Sequence, residues 1–175
     1  DVDAGVGVDA ARGDLRARMQ SPLDVRTALG YLIEIAGALD AIHKAGILHR
    51  DLKPGNVMIR DDGSLALIDF GLAKQRALEM EITDKGLIFG TPYYMSPEQG
   101  HGQPTDGRSD LYGLGIMMYE MLTAGKPFEG ETAMSIIYKH AKAPIPKLPA
   151  ELAMLLPLLD RLIAKRHEDR YPTEQ

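Results

Sequence analysis

The sequence contains no cysteine, which excludes disulfides and thiolate metal sites and fits a reducing compartment. It also lacks any apolar run long enough to cross a bilayer: the stretch 152–159 is short and is interrupted by Pro157. No basic segment followed by an apolar one opens the chain, so no secretory signal is expected. There is no excess of positive charge either. With 20 Lys and Arg against 25 Asp and Glu, the net charge of −5 gives no general attraction to nucleic acid or to an acidic membrane surface. The expected setting is cytoplasmic, with no direct membrane contact from this segment; a cytosolic domain of a larger membrane protein would read the same way. Internal repeats are absent too.

What is present is ordinary globular material. A chain of 175 residues, 45% hydrophobic and 26% charged, is long enough for one domain with a real core. Residues 1–12 are small and weakly patterned and read as a linker or irregular segment. Residues 13–19 fit a short helix. Ser21-Pro22-Leu23-Asp24 reads as a helix start, with serine as cap and proline in the first turn. Apolar residues then recur at Ala28, Tyr31, Leu32, Ile35, Ala36, Leu39 and Ile42, which gives one buried helical face, and Gly46 stops the helix. Residues 47–49 predict a short strand. Residues 57–59 and 65–68, joined by Asp61-Asp62-Gly63-Ser64, predict a hairpin. Residues 69–98 show no steady period, and a loop of that length in a compact domain is commonly functional. The segment 110–122 is apolar nearly all round, as expected of a helix in the middle of a domain. Further helices are predicted over 132–141 and 152–164.

The most informative stretch is His49-Arg50-Asp51-Leu52-Lys53-Pro54-Gly55-Asn56-Val57-Met58-Ile59, followed after the hairpin by Asp69-Phe70-Gly71. It places a carboxylate (Asp51), a cation (Lys53) and two oxygen donors (Asn56, Asp69) on neighbouring loops. Phosphoryl transfer needs such a set: a group to orient a hydroxyl, a cation for the moving phosphoryl, and hard oxygen ligands for magnesium. Taken singly, Asp51 is a turn aspartate, Lys53 a surface lysine, Asn56 a turn residue and Asp69 a strand-end cap.

With these motifs, residues 13–175 resemble the protein kinase superfamily, specifically the bacterial serine/threonine (Hanks-type) kinases. The resemblance implies a mainly α fold, a kinase-like C-terminal lobe with a small β-hairpin beside the catalytic loop, incomplete at its C-terminal end. It implies a kinase that moves the ATP γ-phosphate to serine or threonine hydroxyls of proteins, with ATP and Mg²⁺ (or Mn²⁺ in its place) as cofactors. Asp51 would be the base, Lys53 would reach the transferred phosphoryl, Asn56 and Asp69 would bind the metal, and Met58 would floor the adenine. His49 and Phe70 would belong to a packed column beside Gly71. Arg50 would pair with a phosphate on the activation segment, for which Thr83 is the proposed acceptor.

Gly90-Thr91-Pro92-Tyr93-Tyr94-Met95-Ser96-Pro97-Glu98 resembles the close of that segment. By the same resemblance Thr91 would contact Asp51 and Lys53, Glu98 would pair with Arg170 in a buried bidentate bridge, and Asp110 would hold the catalytic-loop backbone.

The chain departs from the pattern at its start. Gly5-Val6-Gly7 is not a phosphate loop, and Lys44 is the first lysine, so no residue matches the phosphate-binding lysine of the N-terminal lobe. These 175 residues alone are therefore expected to bind ATP weakly and to be inactive, with the missing N-terminal lobe as a partner and self-association through the uncovered surface. A non-catalytic, kinase-derived docking or scaffold module is the alternative; the intact Asp51, Lys53, Asn56 and Asp69 argue against it. A small-molecule kinase of the aminoglycoside phosphotransferase type is a third reading, which Phe70-Gly71 and the segment 90–98 oppose.

Overall fold

Asp24, rather than Ser21, starts the first long helix. The computed structural model describes residues 13–69 and 92–173. Within it α1 runs Val25–Lys44, and the Asp24 carboxylate accepts from the Thr27 N–H at 3.0 Å and from the Thr27 hydroxyl at 2.6 Å. A carboxylate offers two acceptor oxygens and a full charge to the positive end of the helix, more than a serine hydroxyl can. Leu23 meanwhile donates its N–H to the Met121 carbonyl at 2.8 Å, which keeps it and Pro22 outside the helix. The inward face follows the predicted period: Ala28, Leu32, Ile35 and Leu39 are buried. Beyond Ala45, Gly46 takes φ 74° and donates to the His43 carbonyl, a left-handed stop that favours glycine.

The short helix expected over 13–19 is a 3₁₀ turn, Leu15–Arg18, capped by Asp14. No strand forms at residues 47–49; the Ile47 N–H turns back to the Ile42 carbonyl at 2.9 Å, and the His49 N–H is held by a side chain, as described below. The hairpin does form. Strands β1 (Val57–Ile59) and β2 (Leu65–Leu67) are antiparallel, with Val57 opposite Leu67, Met58 opposite Ala66 and Ile59 opposite Leu65. Two strands alone are marginal in water. Here the pair packs on α1, and Leu65 donates its N–H to Glu34 of that helix at 2.9 Å.

Four helices follow: α2 (Pro97–Gly100), α3 (Gly107–Thr123), α4 (Ala133–Lys142) and α5 (Leu156–Leu162). Helix α3 is the axis of the core. Tyr112, Ile116, Met117, Met118 and Met121 have no solvent exposure, and α1 and α5 pack against it. Asp106 caps it, so Asp110 lies in its first turn rather than at the cap. Gly115 permits the contact with α5: a Cβ there would stand 2.5 Å from Ile163 Cγ2 and 2.8 Å from Leu162 Cβ. The helix predicted over 152–164 is divided into a 3₁₀ segment, Ala150–Leu155, and the shorter α5. Pro157 explains the break, because it lacks an N–H and its ring clashes with a preceding helical turn, so it fits only at a helix start. The fold is mainly α with one small hairpin, as expected.

Candidate functional site

A single buried carboxylate shapes the loop between α1 and β1. Asp110, 2% exposed, accepts from the backbone N–H of His49 at 2.9 Å through one oxygen and from that of Arg50 at 2.8 Å through the other. Binding two consecutive amides bends the chain, and Arg50 takes φ 66°, a left-handed conformation that costs a non-glycine residue on the order of 1–3 kcal/mol. Charge-assisted hydrogen bonds, roughly twice as strong as neutral ones, offset that strain. The Arg50 carbonyl is fixed in turn by Gln99 Nε2 at 2.8 Å. Gln99 also closes the capping box of α2 with Ser96, so one amide ties that helix to the loop.

Asp110 has a third partner that the sequence reading did not single out. His43 Nε2 lies 2.8 Å from Asp110 Oδ2, with both side chains almost wholly buried. A signal for it existed: His43 continues the inward stripe Ala28, Leu32, Ile35, Leu39 by one further step of four.

The loop's own side chains then converge. His49 is fully buried, its Nδ1 accepts from the Asp51 N–H at 3.2 Å, and its Nε2 faces the Ile68 carbonyl at 2.9 Å. Nε2 therefore carries the hydrogen, and both nitrogens are committed to the backbone. Asn56 Nδ2 donates to the Asp51 carbonyl at 2.8 Å and to Asp51 Oδ2 at 3.2 Å. Those two acceptors fix the amide orientation, and Asn56 Oδ1 accepts no hydrogen bond among the described residues. Lys53 Nζ stands 3.3 Å from Asp51 Oδ2, both side chains about one-third exposed. The Asn56 carbonyl accepts from the Ile68 N–H at 2.9 Å, which brings exposed Asp69, at φ 57°, beside the same loop. Met58, half-buried, is the middle residue of β1. A cavity of about 50 Å³ adjoins Asp51, bounded by Arg50, Tyr94, Met95 and Gln99, and Arg50 Nε is buried with no hydrogen-bond partner among the described residues.

Two further clusters brace this loop from below. Arg170 meets Glu98 through both nitrogens, at 2.6 and 2.9 Å, and gives its remaining N–H groups to the carbonyls of Ala164, Lys165 and Arg108. All five guanidinium hydrogens are thus used, and the group lies 4.8 Å over the Tyr112 ring. Burial disfavours ionisation of Glu98, but hydrogen bonds from Arg170 and from the Ser109 hydroxyl at 2.7 Å outweigh it and hold the carboxyl below its ordinary range. Near the Pro92–Tyr94 turn, the Tyr94 hydroxyl donates to Glu120 at 2.5 Å and Lys126 pairs with Glu120. Burial and the Glu120 hydrogen bond push the Tyr94 phenol upward.

His140 of α4 is also buried, with Nδ1 2.8 Å from the Tyr112 hydroxyl. Burial and then the nearby Lys165 cation lower it from 6.5 to about 4, and the backbone of Pro92 and Tyr93 opposes them only in part. The unfolded chain consequently takes up the proton first. This contribution is complete above about pH 6.5 and falls as pH drops toward 4, by about 3 kcal/mol in all. Urea midpoints at pH 7.5 and 4.5 should show that slope reduced in His140→Phe relative to the unmodified protein; an identical slope would contradict it.

Phe70, Gly71, Thr83 and Thr91 lie outside the described residues. The other expected site residues fall into two groups, with Met58 on β1 beside the first: His49, Arg50, Asp51, Lys53, Asn56, Asp69 and Asp110 at the loop, and Glu98 with Arg170.

The model of the protein kinase domain family matches residues 9–175. The chain belongs to the protein kinase family. Among kinase relatives, the serine/threonine-protein kinase PknL of Mycobacterium tuberculosis is 40% identical over 156 residues, covering 87% of this chain and 39% of the relative. Pkn1 of Myxococcus xanthus, also a serine/threonine-protein kinase, is 40% identical over 165 residues, covering 90% of this chain and 24% of the relative. A probable PknB of Corynebacterium glutamicum is 40% identical over 156 residues, covering 83% of this chain and 24% of the relative. The chain thus spans well under half the length of these kinases. Kinases as a family use ATP and a divalent metal. No helix among the described residues is long and apolar enough to cross a membrane.

Proposed function

We propose that this chain carries the catalytic loop and acceptor surface of a protein serine/threonine kinase, which transfers the ATP γ-phosphate to serine and threonine hydroxyls of proteins. The observation that carries the proposal is the convergence on Asp51: a part-exposed carboxylate with Lys53 at 3.3 Å and Asn56 at 3.2 Å, on a loop fixed by Asp110. Asp51 accepts a hydrogen bond from the acceptor hydroxyl and turns its oxygen toward the phosphorus; a base so placed is worth roughly 10²–10⁴-fold. Lys53, paired with Asp51 before substrate arrives, offers its charge to the moving phosphoryl, and a lysine at this position favours serine or threonine over tyrosine. His49 is no rival base, since neither nitrogen is free.

The donor set fits magnesium. Asn56 has its amide nitrogen committed to Asp51 and its oxygen left as a ligand, while Asp69 supplies a carboxylate from the neighbouring strand end. No cluster of three or more His, Asp or Glu suited to a metal occurs among the described residues, and Mg²⁺ bound together with nucleotide phosphates needs only one or two protein ligands. When bound, the metal neutralises charge on the phosphates. Met58 would floor the adenine. Arg50 Nε, without a hydrogen-bond partner among the described residues, suits a phosphate on the activation segment, with Thr83 as the proposed acceptor. Residues 13–175 make up the C-terminal lobe in this reading. No lysine precedes Lys44, so no residue of this sequence matches the phosphate-binding lysine of the family.

The test is an acceptor comparison with the full-length protein and Mg-ATP. Label should enter a generic protein substrate and not an aminoglycoside. Label on the small molecule would favour a small-molecule kinase, and label on neither would favour a scaffold.

A further inference from the structure

The mechanism above gives no task to Arg16, although it lies against the catalytic loop. Its turn, Leu15–Arg18, packs on the 3₁₀ turn Pro54–Asn56, which follows Lys53 directly. The seat is firm. Leu15 and Met19 are buried, the Ile59 N–H donates to the Gly13 carbonyl at 3.0 Å, and Asp14 is bridged to Met58 of β1. From that seat the guanidinium reaches the loop itself. A Cβ at Gly55 would stand 3.0 Å from Arg16 Nη2 and 3.6 Å from its Cζ, so the cation fills the space into which a side chain at position 55 would project. The next residue, Asn56, is the one whose amide bonds Asp51.

This cation has capacity to spare. Lys53, the cation of the loop, already faces Asp51 at 3.3 Å. Arg16 meets Asp14 through Nη2 at 3.1 Å, and its other N–H groups complete no hydrogen bond among the described residues. Asp14 is shared as well, since it caps its turn by accepting from the Ala17 N–H at 3.3 Å. The Arg16 side chain is 69% exposed, against 27% for Asp14, so the fork is open to an incoming group. A planar guanidinium matches a carboxylate with two parallel hydrogen bonds, and glycine at position 55 offers no side chain to take its place.

We propose that Arg16 is a specificity-determining residue, which receives an aspartate or glutamate side chain of the protein acceptor close in sequence to the hydroxyl that Asp51 orients. The inference rests on the kinase reading, in which the acceptor hydroxyl meets Asp51 and the residues flanking it pass over the adjoining turn.

Steady-state kinetics of the full-length protein with Mg-ATP test it. The acceptors are neutral threonine peptides in which a single glutamate is moved from position to position on either side of the threonine. Where the glutamate reaches Arg16, KM should fall about 3- to 10-fold relative to glutamine at the same place, between the effect of an exposed ion pair and that of a sheltered charged hydrogen bond. The gain should shrink as salt is raised. Arg16→Gln should abolish it, and Arg16→Glu should transfer it to a lysine at the same peptide position. Equal KM for glutamate and glutamine at every position in the unmodified protein, or a glutamate preference that survives in Arg16→Gln, would overturn the proposal alone. Failure to label any peptide or a generic protein substrate would overturn the kinase reading and the proposal with it.

Discussion

Asp51→Asn is expected to slow phosphoryl transfer by roughly 10²–10⁴-fold while leaving the fold intact. The substitution preserves side-chain shape and removes the charge that orients and accepts from the hydroxyl. Its structural cost is small for identifiable reasons. The Asn56 hydrogen bond to the residue-51 carbonyl does not involve the side chain, and the Asp51 N–H still meets His49. What is lost is the Lys53 pair, a part-exposed contact at 3.3 Å, and such pairs are worth about 0–1 kcal/mol. Single-turnover transfer by the full-length protein should therefore collapse while its urea midpoint and KM for ATP hardly move. A large fall in both rate and stability would show Asp51 to be chiefly a structural turn residue.

Arg170→Leu is expected to act the other way round, destabilising the fold by about 3–5 kcal/mol. Arg170 is fully buried at its side chain and uses every guanidinium hydrogen on Glu98 or on three carbonyls. Removing it leaves Glu98 charged and enclosed, with the Ser109 hydroxyl as its remaining side-chain partner among the described residues. The double variant Arg170→Leu/Glu98→Gln, which removes the stranded charge, should recover part of the loss. Because the Glu98 carboxyl is held below its ordinary 4.5, the contribution of the pair is present above that pH and declines as pH falls below it. Chemical denaturation at neutral pH measures the difference; a change under about 1 kcal/mol would mean that the bridge adds little to the fold.

How much of this was readable in the chain depended on whether a signal was local. The inward stripe of α1, the Asp62-Gly63 turn and the apolar run of α3 are local patterns, and all three elements formed where expected. The pairing of Glu98 with Arg170, 72 residues apart, came from resemblance and not from any pattern in the residues; in the structure Arg170 Nη1 lies 2.6 Å from Glu98 Oε1. Boundaries were less legible. Asp24 displaced Ser21 as the cap because Leu23 is fastened to Met121, a partner nearly one hundred residues away. Residues 47–49 form no strand because the Ile47 N–H turns back to the Ile42 carbonyl of α1 and the long-range carboxylate of Asp110 takes the amides of His49 and Arg50. His43 stood on a readable face, but its partner lies 67 residues off.

The loop at residues 49–56 stands or falls on one measurement: transfer of labelled γ-phosphate from Mg-ATP to a protein substrate by the full-length protein, followed by identification of the phosphorylated amino acid, with Asp51→Asn run alongside. Phosphoserine or phosphothreonine that disappears in Asp51→Asn is the predicted result. Label on tyrosine alone, or label undiminished in Asp51→Asn, would contradict it.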